Sequence, residues 1–149
     1  MRPENHVKIS IISAIGIYFI TGSFFLSLLN AAIGVFIDMD HLLDFICSKP
    51  KSIFDIKEFL NVDFIFRNRK VYLILHSYEL LILLIIVSIL GLLEFHFAIS
   101  VFSAVLFHLV ADQIGNPVKP FTYFIFYRIY HNFDLYHLIN LEKEYKEKN

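Results

Sequence analysis

The sequence predicts an all-α fold: an integral membrane bundle of about four hydrophobic helices, the first two a short hairpin, with added interfacial helices. Three observations carry this expectation. The 149 residues are 57% hydrophobic and only 18% charged, far more apolar than an ordinary soluble domain. Uncharged runs fill residues 9–37, 80–93 and 95–111, the last two parted only by Glu94, and a membrane helix needs about 20 mostly apolar residues. All thirteen Lys and Arg lie in 1–8, 49–70 or 119–148. The length is that of one domain, expected over 1–149, with a core at 6–117 and an aromatic interfacial segment and charged tail over 121–149. A net charge of −1 supplies no field that would draw nucleic acid. The lone Cys47 leaves no internal disulfide.

The first apolar block, 9–37, is too long and ends too acidic for a signal peptide, whose apolar core runs about 7–15 residues. As one straight helix it would separate His6 from Asp38 by about 48 Å. A turn at Thr21-Gly22-Ser23 instead makes two legs of roughly 20 Å each. These are short of the ~30 Å hydrocarbon thickness, so the hairpin is expected to dip into the bilayer under cover of neighbouring helices. A single tilted span is the alternative. In the loop 45–70, Ile53, Phe54, Ile56, Phe59 and Leu60 alternate with Asp55, Lys57 and Glu58, the pattern of a short interfacial helix. The third helix reaches spanning length if it starts near Val71 or Tyr72, and the fourth follows a tip at 94–96. Segment 121–137 is rich in Phe and Tyr, as in an aromatic belt at headgroup level. The end, NLEKEYKEKN, reads as a solvated helical tail. The positive-inside rule puts the basic segments in the cytoplasm and the 94–96 tip outside, giving a multi-pass protein of the cell (inner) membrane.

Under this topology the polar groups converge. His6 precedes the first leg, and Asp38, Asp40 and His41 end the second. His76 opens the third helix, and His108 with Asp112 closes the fourth. Residues four apart on a helix share a face, so His108 and Asp112 form one prong. Imidazoles with carboxylates suit Zn, Mn or Fe, and the surplus of donors allows one divalent ion or two. The same residues also suit a metal that only fastens helices together. Each histidine alone reads as an interfacial or packing residue; the dense D-x-D-H after an apolar block is the stronger signal. His96, on the far side, is set aside, as are His131, Asp134 and His137 in the aromatic segment. Asp44 reads as a solvated helix end or a group supporting a ligand.

The order of His6, then DMDH at 38–41, then HS at 76–77, then HLVAD at 108–112 resembles the membrane-bound metal-dependent hydrolases of the YdjM-like (DUF457) type. The resemblance covers roughly residues 6–117. Ile37 stands where that family usually has Pro, Leu75 where it commonly has Thr, and the Arg of its H-R-x-x-T-H-S stretch is unmatched. The resemblance implies a divalent metal held by His6, Asp38, Asp40, His41, His76, His108 and Asp112, facing the cytoplasm. It implies hydrolysis; Glu79 or Asp38, whichever is not a ligand, is the candidate general base. A site at the bilayer surface makes an amphiphile the expected substrate, a lipid or a phosphorylated amphiphile carrying an ester or phosphoester. An ion transporter would need ionisable residues at mid-bilayer depth, and the apolar runs carry none.

Overall fold

The computed structural model describes residues 3–48, 52, 54–60 and 64–140. The chain folds into α1 (Pro3–Thr21), α2 (Phe24–Phe36), a 3₁₀ turn (Ile37–Asp40), α3 (His41–Cys47), α4 (Ile56–Leu60), α5 (Phe64–Asn68), α6 (Tyr78–Ile89), α7 (Phe95–Gly115), α8 (Ile125–Tyr130) and α9 (Leu135–Leu138). The fold is helical; pairing of extended backbone among the described residues is confined to the isolated bridges Lys70–Asp134 and Val118–Ile139. Two helical runs, Phe24–Cys47 and Phe95–Gly115, are long and apolar enough to cross a membrane. The chain divides into two compact units, one of residues 1–37 and 76–116, the other of 38–75 and 117–149. The expected tail over 140–149 lies outside the described residues after Asn140.

In the first unit, α1 and α2 form the expected antiparallel hairpin. Gly22 turns the chain with φ +66, a conformation open to a residue without Cβ. Ser23 then caps α2, accepting the Leu26 amide at 3.3 Å. The legs close through small residues. Ser27 Oγ donates to the Ala14 carbonyl at 2.7 Å, and a Cβ at Gly34 would lie 2.5 Å from Ser10 Oγ. The long helix α7 packs on both legs. Asn30, fully buried, donates from Nδ2 to the Ser100 carbonyl at 2.7 Å and to Ser103 Oγ at 2.9 Å. Ser100 Oγ returns a bond to the Leu26 carbonyl at 2.8 Å. Polar groups thus lie between the helices while Ile12, Phe19, Phe24 and Ile89 are each at least 70% exposed. These contacts lie beside buried apolar residues such as Ile17, Leu81, Val105 and Leu109, so the interior of this unit is mixed.

The third helix departs from expectation. It begins at Tyr78, not near Val71, and ends at Ile89. Twelve residues rise only about 18 Å, so α6 is a short apolar helix. His76 consequently lies in the bend before it. Residues 71–75 are non-helical, and Leu73 has φ +40. After a turn through Gly91, Glu94 caps α7, its Oε2 accepting the Phe97 amide at 2.8 Å.

The second unit is built on aromatic packing. Phe45 and Phe64, both fully buried, meet edge to face with ring centroids 5.3 Å apart, and Phe59 stacks on Phe64. Of the short helix expected over 53–60, residues 56–60 form α4, a single turn and a half; Ile53 lies outside the described residues. A second cluster joins Val71 and Leu73 to Leu135, Leu138 and Ile139.

Two outcomes test this packing. Gly34→Ala forces a shift of Ser10 and lowers the stability of the detergent-solubilised protein by about 1–3 kcal/mol, measured by thermal unfolding; adding Ser10→Ala recovers most of it. The amides of His96 and Phe97 hold the Glu94 carboxyl below its usual range. A depressed carboxyl adds stability above its unfolded pKa and loses it as pH falls through the folded one. Exchange at the Phe97 amide, corrected for intrinsic rate, therefore accelerates on acidification through that range, and is already fast in Glu94→Ala.

Candidate metal centre

Helix α7 supplies half of the site. Ala104, His108 and Asp112, each four apart, lie on one buried face beside Val105 and Leu109. His6 comes from the first turn of α1, and His76 from the bend that leads into α6. All four polar residues belong to the first unit. Their fractional exposures are 6% for His6, 0% for His76 and 2% for both His108 and Asp112.

The donor atoms meet at close range. His76 Nε2 and His108 Nε2 are 3.1 Å apart. Asp112 Oδ2 lies 3.4 Å from His108 Nε2 and 3.6 Å from His76 Nε2. Asp112 Oδ1 lies 3.2 Å from His6 Nε2 and accepts the Asn116 side-chain amide at 2.9 Å. The His6 ring stacks on His108 with centroids 4.4 Å apart, and His76 meets His108 edge-on at 5.0 Å.

The hydrogen bonding determines what this knot lacks. His108 Nδ1 is 2.9 Å from the Gly34 carbonyl oxygen. A carbonyl only accepts, so Nδ1 carries a proton and donates it to Gly34, and Nε2 is the ring nitrogen that faces His76 and Asp112. The carboxylate and the imidazole meet in a space nearly closed to water. A proton on Nε2 or a cation between them makes that contact favourable. Four donors around an ion at Zn–N or Zn–O distances of about 2.0–2.1 Å would be separated by roughly 3.3 Å in a tetrahedron. The three separations among His76 Nε2, His108 Nε2 and Asp112 Oδ2, 3.1, 3.4 and 3.6 Å, bracket that value, while His6 Nε2 lies 3.2 Å from the other carboxylate oxygen, Oδ1. The Nδ1–carbonyl bond is also the usual outer support of a metal-ligating histidine. The donor set fits a divalent ion.

The other expected site residues have these positions. Asp38, Asp40 and His41 belong to the second unit. The 3₁₀ turn and α3 place Asp38 Oδ1 3.9 Å from His41 Nε2. Asp40 Oδ2 accepts the Leu75 amide at 2.6 Å. Glu79 is half-buried in the first turn of α6, and is outside the groups of donors that come within 4.8 Å of one another among the described residues. The carboxylate meeting the three imidazoles of the first unit is Asp112. His96 is exposed and pairs with Glu94 at 3.0 Å, in keeping with its being set aside. His131 stacks on His137 in the second unit, centroids 4.2 Å apart.

Two contributors were not anticipated. Asn116, four beyond Asp112, had a readable signal in that spacing. The Gly34 carbonyl had none, since main-chain groups are silent in a sequence. Asp44, expected to be solvated or supporting, is fully buried, and its Oδ1 accepts the Tyr72 amide at 2.8 Å. Compared with protein-family models, with curated proteins and with solved structures, the chain finds a match in none.

The tautomer is directly testable. Nitrogen-15 spectra of the histidine rings are expected to show His108 protonated at Nδ1 at neutral pH. A ring protonated at Nε2 alone would remove the Gly34 bond on which the donor geometry rests.

Proposed function

We propose that this protein is a membrane-embedded, metal-dependent hydrolase of the YdjM-like (DUF457) kind that its motifs resemble. The observation that carries the metal is the convergence of three imidazole nitrogens and the Asp112 carboxylate, all nearly fully buried. Zn, Mn or Fe suits such a donor set. Asp112 turns one oxygen to His6 and the other to His76 and His108, an arrangement open to one ion or to a carboxylate shared by two. When bound, the ion supplies Lewis acidity that activates water and steadies negative charge on oxygen. Around it, the Gly34 carbonyl orients His108 and Asn116 orients Asp112. Glu79, half-buried in the first turn of α6, is the general base of the first unit for the attacking water.

Two features support the membrane setting: the polar contacts within the mixed interior of the first unit, and the large apolar side chains on its outside. The basic segments then lie on the cytoplasmic side, and an amphiphilic ester or phosphoester, lipid-borne, is the substrate class that such a boundary presents. A second reading, a metal that only ties helices together, is favoured by one observation: the donors of the first unit are nearly fully buried and come from three separate stretches of chain. Bound metal would then act as folding energy.

Protein purified in mild detergent is expected to carry Zn, Mn or Fe in near-stoichiometric amount by elemental analysis. His108→Ala and Asp112→Ala lose most of it, and full retention in both would remove the site. A Co²⁺-loaded protein with an open coordination position and turnover of generic phosphoesters supports the hydrolase; a closed spectrum without turnover supports the fastening role. For topology, cysteines at positions 4 and 52, in a Cys47→Ser background because Cys47 is exposed, are expected to label from the same side. A cysteine at position 92 labels from the other; labelling of all three from one side would overturn the orientation.

A further inference from the structure

We propose that α8 seats the second unit on a phospholipid bilayer: Phe126, Ile129 and Tyr130 enter the headgroup layer, and Lys70 and Lys119 beside them meet its phosphates. The proposal rests on the membrane setting given above and narrows it to named side chains. Composition alone puts all of 121–137 at headgroup level; the fold singles out the face that points outward.

Helix α8 is inverted for a helix in water. A surface helix turns its charged residues out and its apolar ones in. Here Arg128, the charged residue of Ile125–Tyr130, is fully buried. Its Nη1 donates to the Tyr72 carbonyl at 2.6 Å and to the Leu73 carbonyl. Phe126 and Tyr130 are 73% and 83% exposed, and Ile129 is exposed with them. Their spacing of i, i+3 and i+4 puts the three on one face. Phe121, just before the helix, and Tyr136, in α9, are exposed as well. A helix of six residues is too short to hold itself, so its orientation is set by what Arg128 binds. With the guanidinium drawn in to two carbonyls, the aromatic face must point out. Water penalises that arrangement. The boundary of a bilayer favours it, because Phe and Tyr rings settle among headgroups and the Tyr hydroxyl stays wet.

Charge identifies what covers this face. Lys70 Nζ donates to Asn132 Oδ1 at 3.4 Å, just beyond Tyr130. Lys119 Nζ donates to the Tyr136 carbonyl at 2.8 Å. Two ammonium groups thus stand beside exposed aromatic rings. Lysine stems run along apolar surface while their heads stay in polar surroundings. A layer of phosphates above acyl chains complements both parts, anionic to the ammoniums and apolar to the rings. A second copy of this same face would instead bring ammoniums of like sign to its rim.

The chain contains no Trp, so a single introduced Trp reports alone. Full-length Phe126→Trp and Tyr130→Trp are placed in nanodiscs of phosphatidylcholine and phosphatidylglycerol, brominated either near the headgroup end of the acyl chain or near its terminal methyl. Bromine near the headgroup end is expected to quench both about twofold, and bromine near the methyl less, the order for side chains about 5–10 Å below the surface. Phe19→Trp, on the exposed side of α1, reports on the first unit. Quenching of Phe19→Trp with none at 126 and 130 overturns the proposal and leaves the membrane reading intact. No quenching at any of the three sinks the membrane reading, and the proposal with it. If a second copy covers the face, both α8 probes escape bromine while the purified protein runs as a dimer that Phe126→Asp splits, which also overturns the proposal.

Discussion

A carboxylate, Asp112, and the Nε2 of an imidazole, His108, are held 3.4 Å apart where water scarcely reaches. A buried carboxylate without a positive or hydrogen-bonding partner carries a large desolvation penalty, so a proton or a cation belongs between the two. The electron-rich point between them, flanked by His6 and His76, is satisfied by positive charge. The packing of the first unit is explained by the need to bring these groups there from three separate stretches of chain.

Gly34 illustrates how closely the packing and the site are joined. Its missing side chain lets α2 approach Ser10 of α1, which draws the first leg, and with it His6, back alongside the second. Its carbonyl then accepts from His108 Nδ1 and so selects which nitrogen faces the knot. Asn30 and Ser100 tie α2 to α7 through their side chains and main chain, holding the helix that bears His108 and Asp112. These are hydrogen bonds between helices whose outer faces are apolar. In such surroundings the polar contacts help to register one helix against another. The second unit works differently. Its contacts are aromatic, and its buried charges, Asp44 and Arg128, bind main chain of an irregular segment.

Much of this was legible beforehand. The helical hairpin at Gly22-Ser23 follows from the length of 9–37 and from a Thr-Gly-Ser sequence set within an apolar block. The pairing of His108 with Asp112 follows from their four-residue spacing. The start of α6 was misjudged, because Val71–Leu75 has the composition of a buried helix and periodicity cannot separate that from buried irregular backbone. Arg128 was counted only as one of the basic residues that mark the cytoplasmic side. It is instead fully buried, and nothing in FIFYRIY distinguishes an arginine that binds carbonyls from one that faces solvent.

The sequence by itself determined the class of the molecule and the shortlist of its chemistry. Composition sets the helical, apolar character, and residue type sets which side chains are able to donate to a metal. Only the tertiary structure decided which of them meet. His6, His76, His108 and Asp112 are brought together by close helix approach and by one main-chain carbonyl, while Asp40 and Asp44 each turn an oxygen to the backbone of 72–75. Distances between residues seventy or a hundred positions apart depend on packing along the whole path between them, and no local pattern of residues encodes that.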